Sequence, residues 1–258
     1  MIGLALEGGG SRGAYHIGVM KAYLEAGYKF DGFVGTSIGA INAAVFAQGD
    51  FLKAEGMWHS IATEHLFDAD VCKLIEIGKA NWDPQHLTEA RSGLRKIKDG
   101  QGIDTAKIRE LIYRHIDEQK IRTGNIDYGL VTVSISDHRP YELYLEDIPQ
   151  GKLLSYIEAS ACFPGFKPVV IEENYFLDGA LYNNCPINML IKKGYDEIIA
   201  VRTKAPGVYR KFTVPQGVNV KVIVPKCDLG NMMIFSPEKI KENIKMGYLD
   251  GKESLKHK

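Results

Sequence analysis

The chain has 258 residues, 45% of them hydrophobic and 25% charged, an ordinary globular composition with enough apolar material for one large core. Its 32 basic and 32 acidic side chains cancel, so no global field draws it to nucleic acid or to an anionic membrane. Four cysteines (Cys72, Cys162, Cys185 and Cys227) lie far apart without CxxC or zinc-site spacing, and read as free buried thiols of a reducing compartment. The start carries no basic segment leading into an apolar stretch, and no apolar run reaches about 18 residues. The expectation is a cytoplasmic protein without a membrane span, in which any peripheral membrane contact comes from local apolar surface.

Ile2–Leu6 is a short apolar run ending in Glu7 and three glycines, the pattern of a buried strand entering a tight loop. Residues 13–26 carry Ile17, Met20 and Leu24 at helical spacing, and Gly27 follows as a C′ residue. Phe30–Val34 reads as a second strand, and after Ser37 the Ala-rich run Ile38–Gln48 reads as a buried helix. Strand, loop, helix, strand, turn and helix in this order predict an α/β protein with a parallel sheet flanked by helices.

From about 50 to 125 the pattern is helical but irregular, with Trp58, Phe67, Leu74, Ile75, Ile77 and Trp82 among charges and a turn at Ser92–Gly102. Asp104 caps a helix through Ile108, Leu111, Ile112 and His115. Strands are expected at Leu130–Ser136, Tyr141–Leu145, Val169–Ile171, Tyr175–Leu177, Ile198–Arg202 and Val220–Val224. A helix over Lys152–Ala161 stops before Pro164, and Pro237 suits the first position of a final helix. Neither a repeat nor a linker interrupts the chain, so 1–258 is expected as one domain with 50–125 as a helical insertion or cap.

The chemistry starts at Gly35-Thr36-Ser37-Ile38-Gly39. A G-x-S-x-G turn between a strand and a helix holds its serine in a sharp corner with Oγ exposed, which makes Ser37 a candidate nucleophile. The helix that follows aims free N–H groups at any oxyanion formed there. A plain strand-to-helix turn is the competing interpretation, and the flanking elements weigh against it.

Gly8-Gly9-Gly10-Ser11-Arg12-Gly13 offers two meanings. It satisfies the G-x-G-x-x-G fingerprint of a dinucleotide-binding oxidoreductase, which also wants an acid at the end of the second strand. Asp31 stands at the start of that strand instead, and Ser37 follows its end. In a hydrolase, N–H groups of the same loop converge on an oxyanion while Arg12 steadies the loop or adds positive charge.

A conventional triad in this chain order needs a late histidine. Among the seven histidines only His257 follows the late acidic candidates, and it lies in a charged tail next to Lys258. Asp178, ending the strand Tyr175–Leu177 and followed by Gly179-Ala180, is the alternative base, presented at a strand edge with little steric cover. An ordinary carboxylate is a weak base toward a hydroxyl, so this pairing requires partial desolvation and an oxyanion hole.

Taken together, these motifs resemble the patatin-like phospholipases, in particular their bacterial branch. The resemblance rests on the Gly8–Gly13 loop, the Gly35–Gly39 turn, Asp178-Gly179-Ala180, Asn184 and Pro186, and the stretch Ala159–Pro164 with Phe166 and Pro168. It is weakest over 50–125. It implies a three-layer α/β/α fold with a mainly parallel sheet and a Ser37–Asp178 dyad. It further implies an oxyanion region of Gly8, Gly9, Gly10 and Arg12, and hydrolysis of acyl lipids without metal or organic cofactor. The common third residue of the aspartate motif is glycine, where this chain has Ala180. Transacylation through the same acyl-enzyme, and a lipid-binding module without turnover, are the other functions weighed.

Weaker signals remain. Met232-Met233-Ile234-Phe235 is expected as core, with an acyl tunnel or a lipid contact as the sharper alternative. Trp58 and Trp82 suit either a lid or packing within the cap. Arg91, Arg95, Lys96 and Lys98 read as solvated surface rather than a headgroup site. Cys162 and Cys185 stand close enough to the motifs to line the site as small apolar residues.

Overall fold

The computed structural model describes residues 1–67, 71–72 and 102–256. The chain opens with β1 (Ile2–Leu6), α1 (Ala14–Glu25), β2 (Gly32–Thr36) and α2 (Ile38–Ala47). Helices α3 (Phe51–Ser60), α4 (Thr63–Leu66), α5 (Ala106–His115) and α6 (Glu118–Thr123) lie between β2 and β3 (Asp127–Ser134). Then come β4 (Arg139–Tyr144), α7 (Leu153–Ser160), β5 (Val169–Ile171), β6 (Asn174–Asp178) and α8 (Ile187–Lys193). The last elements are β7 (Glu197–Val201), β8 (Asn219–Ile223) and α9 (Pro237–Ser254).

One sheet runs β5-β6-β3-β2-β1-β7-β8, with β4 on the other edge of β3. From β3 through β2, β1 and β7 to β8 every neighbour is parallel, whereas β4, β5 and β6 pair antiparallel. Side chains alternate between the faces. Leu4, Leu6, Phe33, Leu130 and Val201 join Ile17, Ile41, Ile157 and Ile240 of α1, α2, α7 and α9 in one core. Ala5, Val34, Val131, Ile198 and Ala200 form a second core with Ile187 and Leu190 of α8. Burial on both faces explains why these strands read as continuous apolar runs. The result is the three-layer α/β/α architecture with a mainly parallel sheet.

The edge of β3 decides where the site falls. β2 pairs with β3 only as far as Thr36↔Val131. The next residue, Thr132, pairs with Asp178 of β6, while β4 spans Gly129–Ser134 on the opposite edge. β2 and β6 therefore share one edge of β3 and meet end to end, so the residue after Thr36 and the last residue of β6 are neighbours.

Local signals account for the ends of several elements. Asp104 accepts the N–H of Ala106 at 2.8 Å at the start of α5, and the hydroxyl of Ser236 accepts the N–H of Lys239 behind Pro237. The sequence account missed α6 and α8. Asp117 caps α6 through the N–H groups of Gln119 and Lys120, and Gly194 closes α8 in the left-handed region at φ 90°. Cys227 is exposed and Cys72 only partly buried, which corrects the expectation of four buried thiols. Among the described residues no helix is long and apolar enough to cross a membrane.

Candidate active site

Ser37 sits between β2 and α2 at φ 58° and ψ −129°, a strained conformation for a residue with a side chain. Such geometry costs about 1–3 kcal/mol and persists only where the surroundings enforce it. Here they do. A Cβ on Gly35 would collide with the backbone of Gly39, and a Cβ on Gly39 with the carbonyl of Leu6. Thr36 Oγ1 donates to the carbonyl of Asn183 at 2.8 Å, and the N–H of Ser37 donates to Ser160 Oγ at 3.0 Å.

Asp178 ends β6 as expected but is 1% exposed, so the expectation of little steric cover is overturned. The pairing of β6 with β3 and the packing of α7 against both strands bury it. Its N–H donates to the carbonyl of Cys162 at 2.8 Å, and its Oδ1 accepts the N–H of Ala180 at 2.8 Å. Its carboxylate and Ser37 line the same cavity. Burial pushes its pKa up to about 7, against the opposing pull of the Ala180 N–H and the neighbouring Ser37 hydroxyl.

The segment 160–162 thus holds both partners, Ser37 through the Ser160 side chain and Asp178 through the Cys162 carbonyl. Sequence reasoning gave Ser160 no role beyond the motif. Cys162 and Cys185 are buried outside the cavity lining, which corrects their expected position.

The glycine loop divides its duties. Gly9 (φ 140°) and Gly10 (φ 54°) adopt the left-handed region and line the cavity beside Ser37. Gly8 lies behind them, with its N–H bonded to the carbonyl of Asn184 at 3.1 Å. A side chain there would collide with the Asn184 amide and crowd Ser37. The Arg12 guanidinium donates to the carbonyls of Gly230 at 2.8 Å and Lys204 at 2.7 Å, so it ties the loop to two others.

Beneath the loop, the buried Asn42 of α2 donates to the Gly13 carbonyl at 3.0 Å and lies 3.1 Å from His16 Nδ1. It accepts the indole N–H of Trp58 at 2.9 Å. Burial drops the His16 pKa to about 3, so the ring is neutral and takes the Asn42 proton at Nδ1. Trp58 is fully buried, as core packing requires. Trp82, His257 and the Arg91–Lys98 cluster lie outside the described residues.

Ser37, Asp178, Gly9 and Gly10 open into a cavity of about 90 Å³. Its walls include Ile61 and Phe67 after α3, Ile108 and Leu111 of α5, Phe163 and Phe166, and Met232, Met233 and Phe235. The Met232–Phe235 run therefore serves as cavity wall, with Phe235 stacked on Trp58 at 6.1 Å. Asn184 also faces the cavity, and its Oδ1 is a buried acceptor without a partner among the described residues.

The dinucleotide alternative fares poorly on this geometry. Asp31 accepts the N–H of Ile2 at 2.6 Å, at the opposite end of β1 from the glycine loop. Among the described residues no group of three or more His, Cys, Asp or Glu could hold a metal ion.

The site is thus an apolar cavity opening on a strained serine at the carboxyl edge of an α/β sheet. A model of the patatin-like phospholipase family matches residues 4–191, and the chain belongs to that family. The lysophospholipase nte1 of Aspergillus terreus is 27% identical over 202 residues, which make up 78% of this chain and 12% of that protein. An uncharacterized NTE family protein of Mycobacterium tuberculosis is 28% identical over 225 residues, or 84% of this chain and 34% of that protein. This chain thus spans about a third or less of the length of these relatives. Its fold is shared with VipD from Legionella pneumophila, at a TM-score of 0.60 and 16% identity over 99% of this chain and 66% of that one.

Proposed function

We propose that the chain hydrolyses fatty acyl esters of lipids through a Ser37–Asp178 dyad and an acyl-enzyme. One observation carries this: the strained Ser37 shares its cavity with the buried carboxylate of Asp178, whose pKa is pushed up to about 7. A carboxylate of that basicity is poised as a general base near neutral pH.

In the proposed sequence the acyl chain lies along the apolar wall with its ester carbonyl over Ser37. Oγ attacks the carbonyl carbon as its proton passes to Asp178. The N–H groups of Gly9 and Gly10, with the amino end of α2, take up the oxyanion charge. Gly8 and Arg12 complete this region by holding the loop in shape. Protonated Asp178 returns the proton to the leaving alkoxide, which departs as the lipid alcohol and leaves the acyl group on Ser37. Water then attacks the acyl-enzyme, giving its proton to Asp178, which passes it to Ser37 Oγ as the acyl–Oγ bond breaks and the fatty acid leaves.

The test is fatty-acid release from a panel of phospholipids, lysophospholipids and monoglycerides. Wild type is expected to release fatty acid from at least one class. Ser37→Ala and Asp178→Asn are each expected to lower kcat by about 10³-fold or more while staying folded. Full activity in folded Ser37→Ala would sink the proposal.

A further inference from the structure

The loop joining β7 to β8 is chemically unlike the rest of a chain whose formal charge is zero. Between Ile198 and Cys227 stand Arg202, Lys204, Arg210, Lys211, Lys221 and Lys226, with no Asp or Glu. Arg202 pairs with Glu7 and Lys226 with Glu253, and Lys221 donates to the carbonyl of Ser254 at 2.7 Å. Lys204, Arg210 and Lys211 form no ion pair among the described residues. Arg210 lies 4.6 Å over the Tyr182 ring.

The same loop exposes apolar surface. All of residues 206–217 are exposed, among them Val208 at 45%, Phe212 at 38% and Val214 at 44%. Its base is fixed beside the catalytic candidates. The N–H of Val208 donates to the carbonyl of Ala180 at 2.8 Å, and Asn184 N–H donates to the carbonyl of Val208 at 2.7 Å. Pro206 and Ala180 both line the acyl cavity. Exposed apolar side chains next to cations are the composition of an interfacial anchor, in which the former enter the acyl boundary and the latter meet anionic headgroups.

We propose that the 204–214 loop docks the protein on anionic lipid bilayers, so that acyl chains leave the membrane alongside the wall formed by Pro206. This inference rests on the lipid-ester function proposed above. The bilayer is favoured as occupant because charge and apolar exposure coincide on one loop that is continuous with an apolar cavity.

Sedimentation of full-length Ser37→Ala with vesicles tests it, using phosphatidylcholine alone or mixed with phosphatidylglycerol. Binding to the mixed vesicles should be at least about tenfold tighter and should weaken with salt. The pair Lys204→Glu and Lys211→Glu should lower that binding about tenfold or more, at roughly fivefold per cation. Phe212→Ser with Val214→Ser should also lower it, whereas Leu249→Ser, at an exposed site on α9, should not. If the glutamate pair fails to fold, Lys204→Gln and Lys211→Gln serve in its place. In the Ser37 background of the wild type, Lys211→Glu and the Phe212→Ser, Val214→Ser pair should turn over a water-soluble short-chain ester within about twofold, since none of these residues lines the cavity.

Equal binding to neutral and anionic vesicles, or binding indifferent to the loop substitutions, overturns the proposal. So does a dimer in analytical ultracentrifugation that the loop substitutions dissolve, because the surface would then face a second copy. Loop-dependent binding without turnover of any ester would reject the hydrolase function alone. Normal turnover with loop-independent binding would reject the docking surface alone.

Discussion

A free aspartate, with a pKa of about 3.9, is too weak a base to draw a proton from a serine hydroxyl efficiently at neutral pH. Asp178 differs because burial lifts its pKa to about 7. The kcat/KM of the free enzyme should therefore rise about tenfold per pH unit in acid and level off above about pH 7. A profile flat from pH 5 to 8 on a soluble ester would count against Asp178 as base. The same shift bears on stability. The folded pKa exceeds the unfolded value, so between about pH 4 and 7 the folded state holds the proton more tightly. The stability contributed by protonated Asp178 is full below about pH 4 and is lost as pH rises through about 7. Asparagine cannot ionise, so Asp178→Asn should melt above wild type at pH 8, by on the order of a few kcal/mol, and near it at pH 4. Differential scanning calorimetry at the two pH values reads this. At this scale the sequence named Ser37 and Asp178 because Gly-x-Ser-x-Gly and Asp-Gly are local patterns. It did not reveal the burial of Asp178 or the role of Ser160, which come from the pairing of β6 with β3 and from helix α7.

Two elements hold the serine turn in place, and each can be probed. Gly39→Ala should gain up to about 1 kcal/mol of helix propensity in α2. The new Cβ meets the Leu6 carbonyl, so a net loss of melting temperature and a fall in kcat are expected instead. A stabilised, fully active variant would show that β1 and α2 need not approach this closely. Asn42→Leu removes the acceptor of the Trp58 N–H and a donor to the Gly13 carbonyl in a fully buried site. The expected cost is about 2–4 kcal/mol in urea unfolding, because buried partners are left unsatisfied. The elements themselves were legible where periodicity was strong: β1, α2 and β5 fall within a residue of their expected bounds. β2 runs to Thr36 rather than Val34, since strand pairing with β3 continues up to the turn. α8 escaped because seven residues give too short a period to see.

At the scale of the whole molecule, the acyl cavity draws its walls from residues near 61–67, 108–111, 163–166 and 232–235, which meet only in the folded chain. No local pattern marks such a surface, and Met232–Phe235 read as simple core for that reason. If the wall receives the acyl chain, Leu111→Trp should lower kcat/KM for long-chain esters about tenfold or more and leave short-chain esters within about twofold. Measuring both chain lengths on one preparation separates this from a general loss of activity. The most direct measurement of the dyad is the site and rate of covalent labelling by a fluorophosphonate, read by intact-mass and peptide mass spectrometry. The expected result is one adduct, on the peptide carrying Ser37, formed about 10³-fold more slowly in folded Asp178→Asn. An adduct elsewhere, or a rate on Ser37 indifferent to Asp178→Asn, would contradict the dyad.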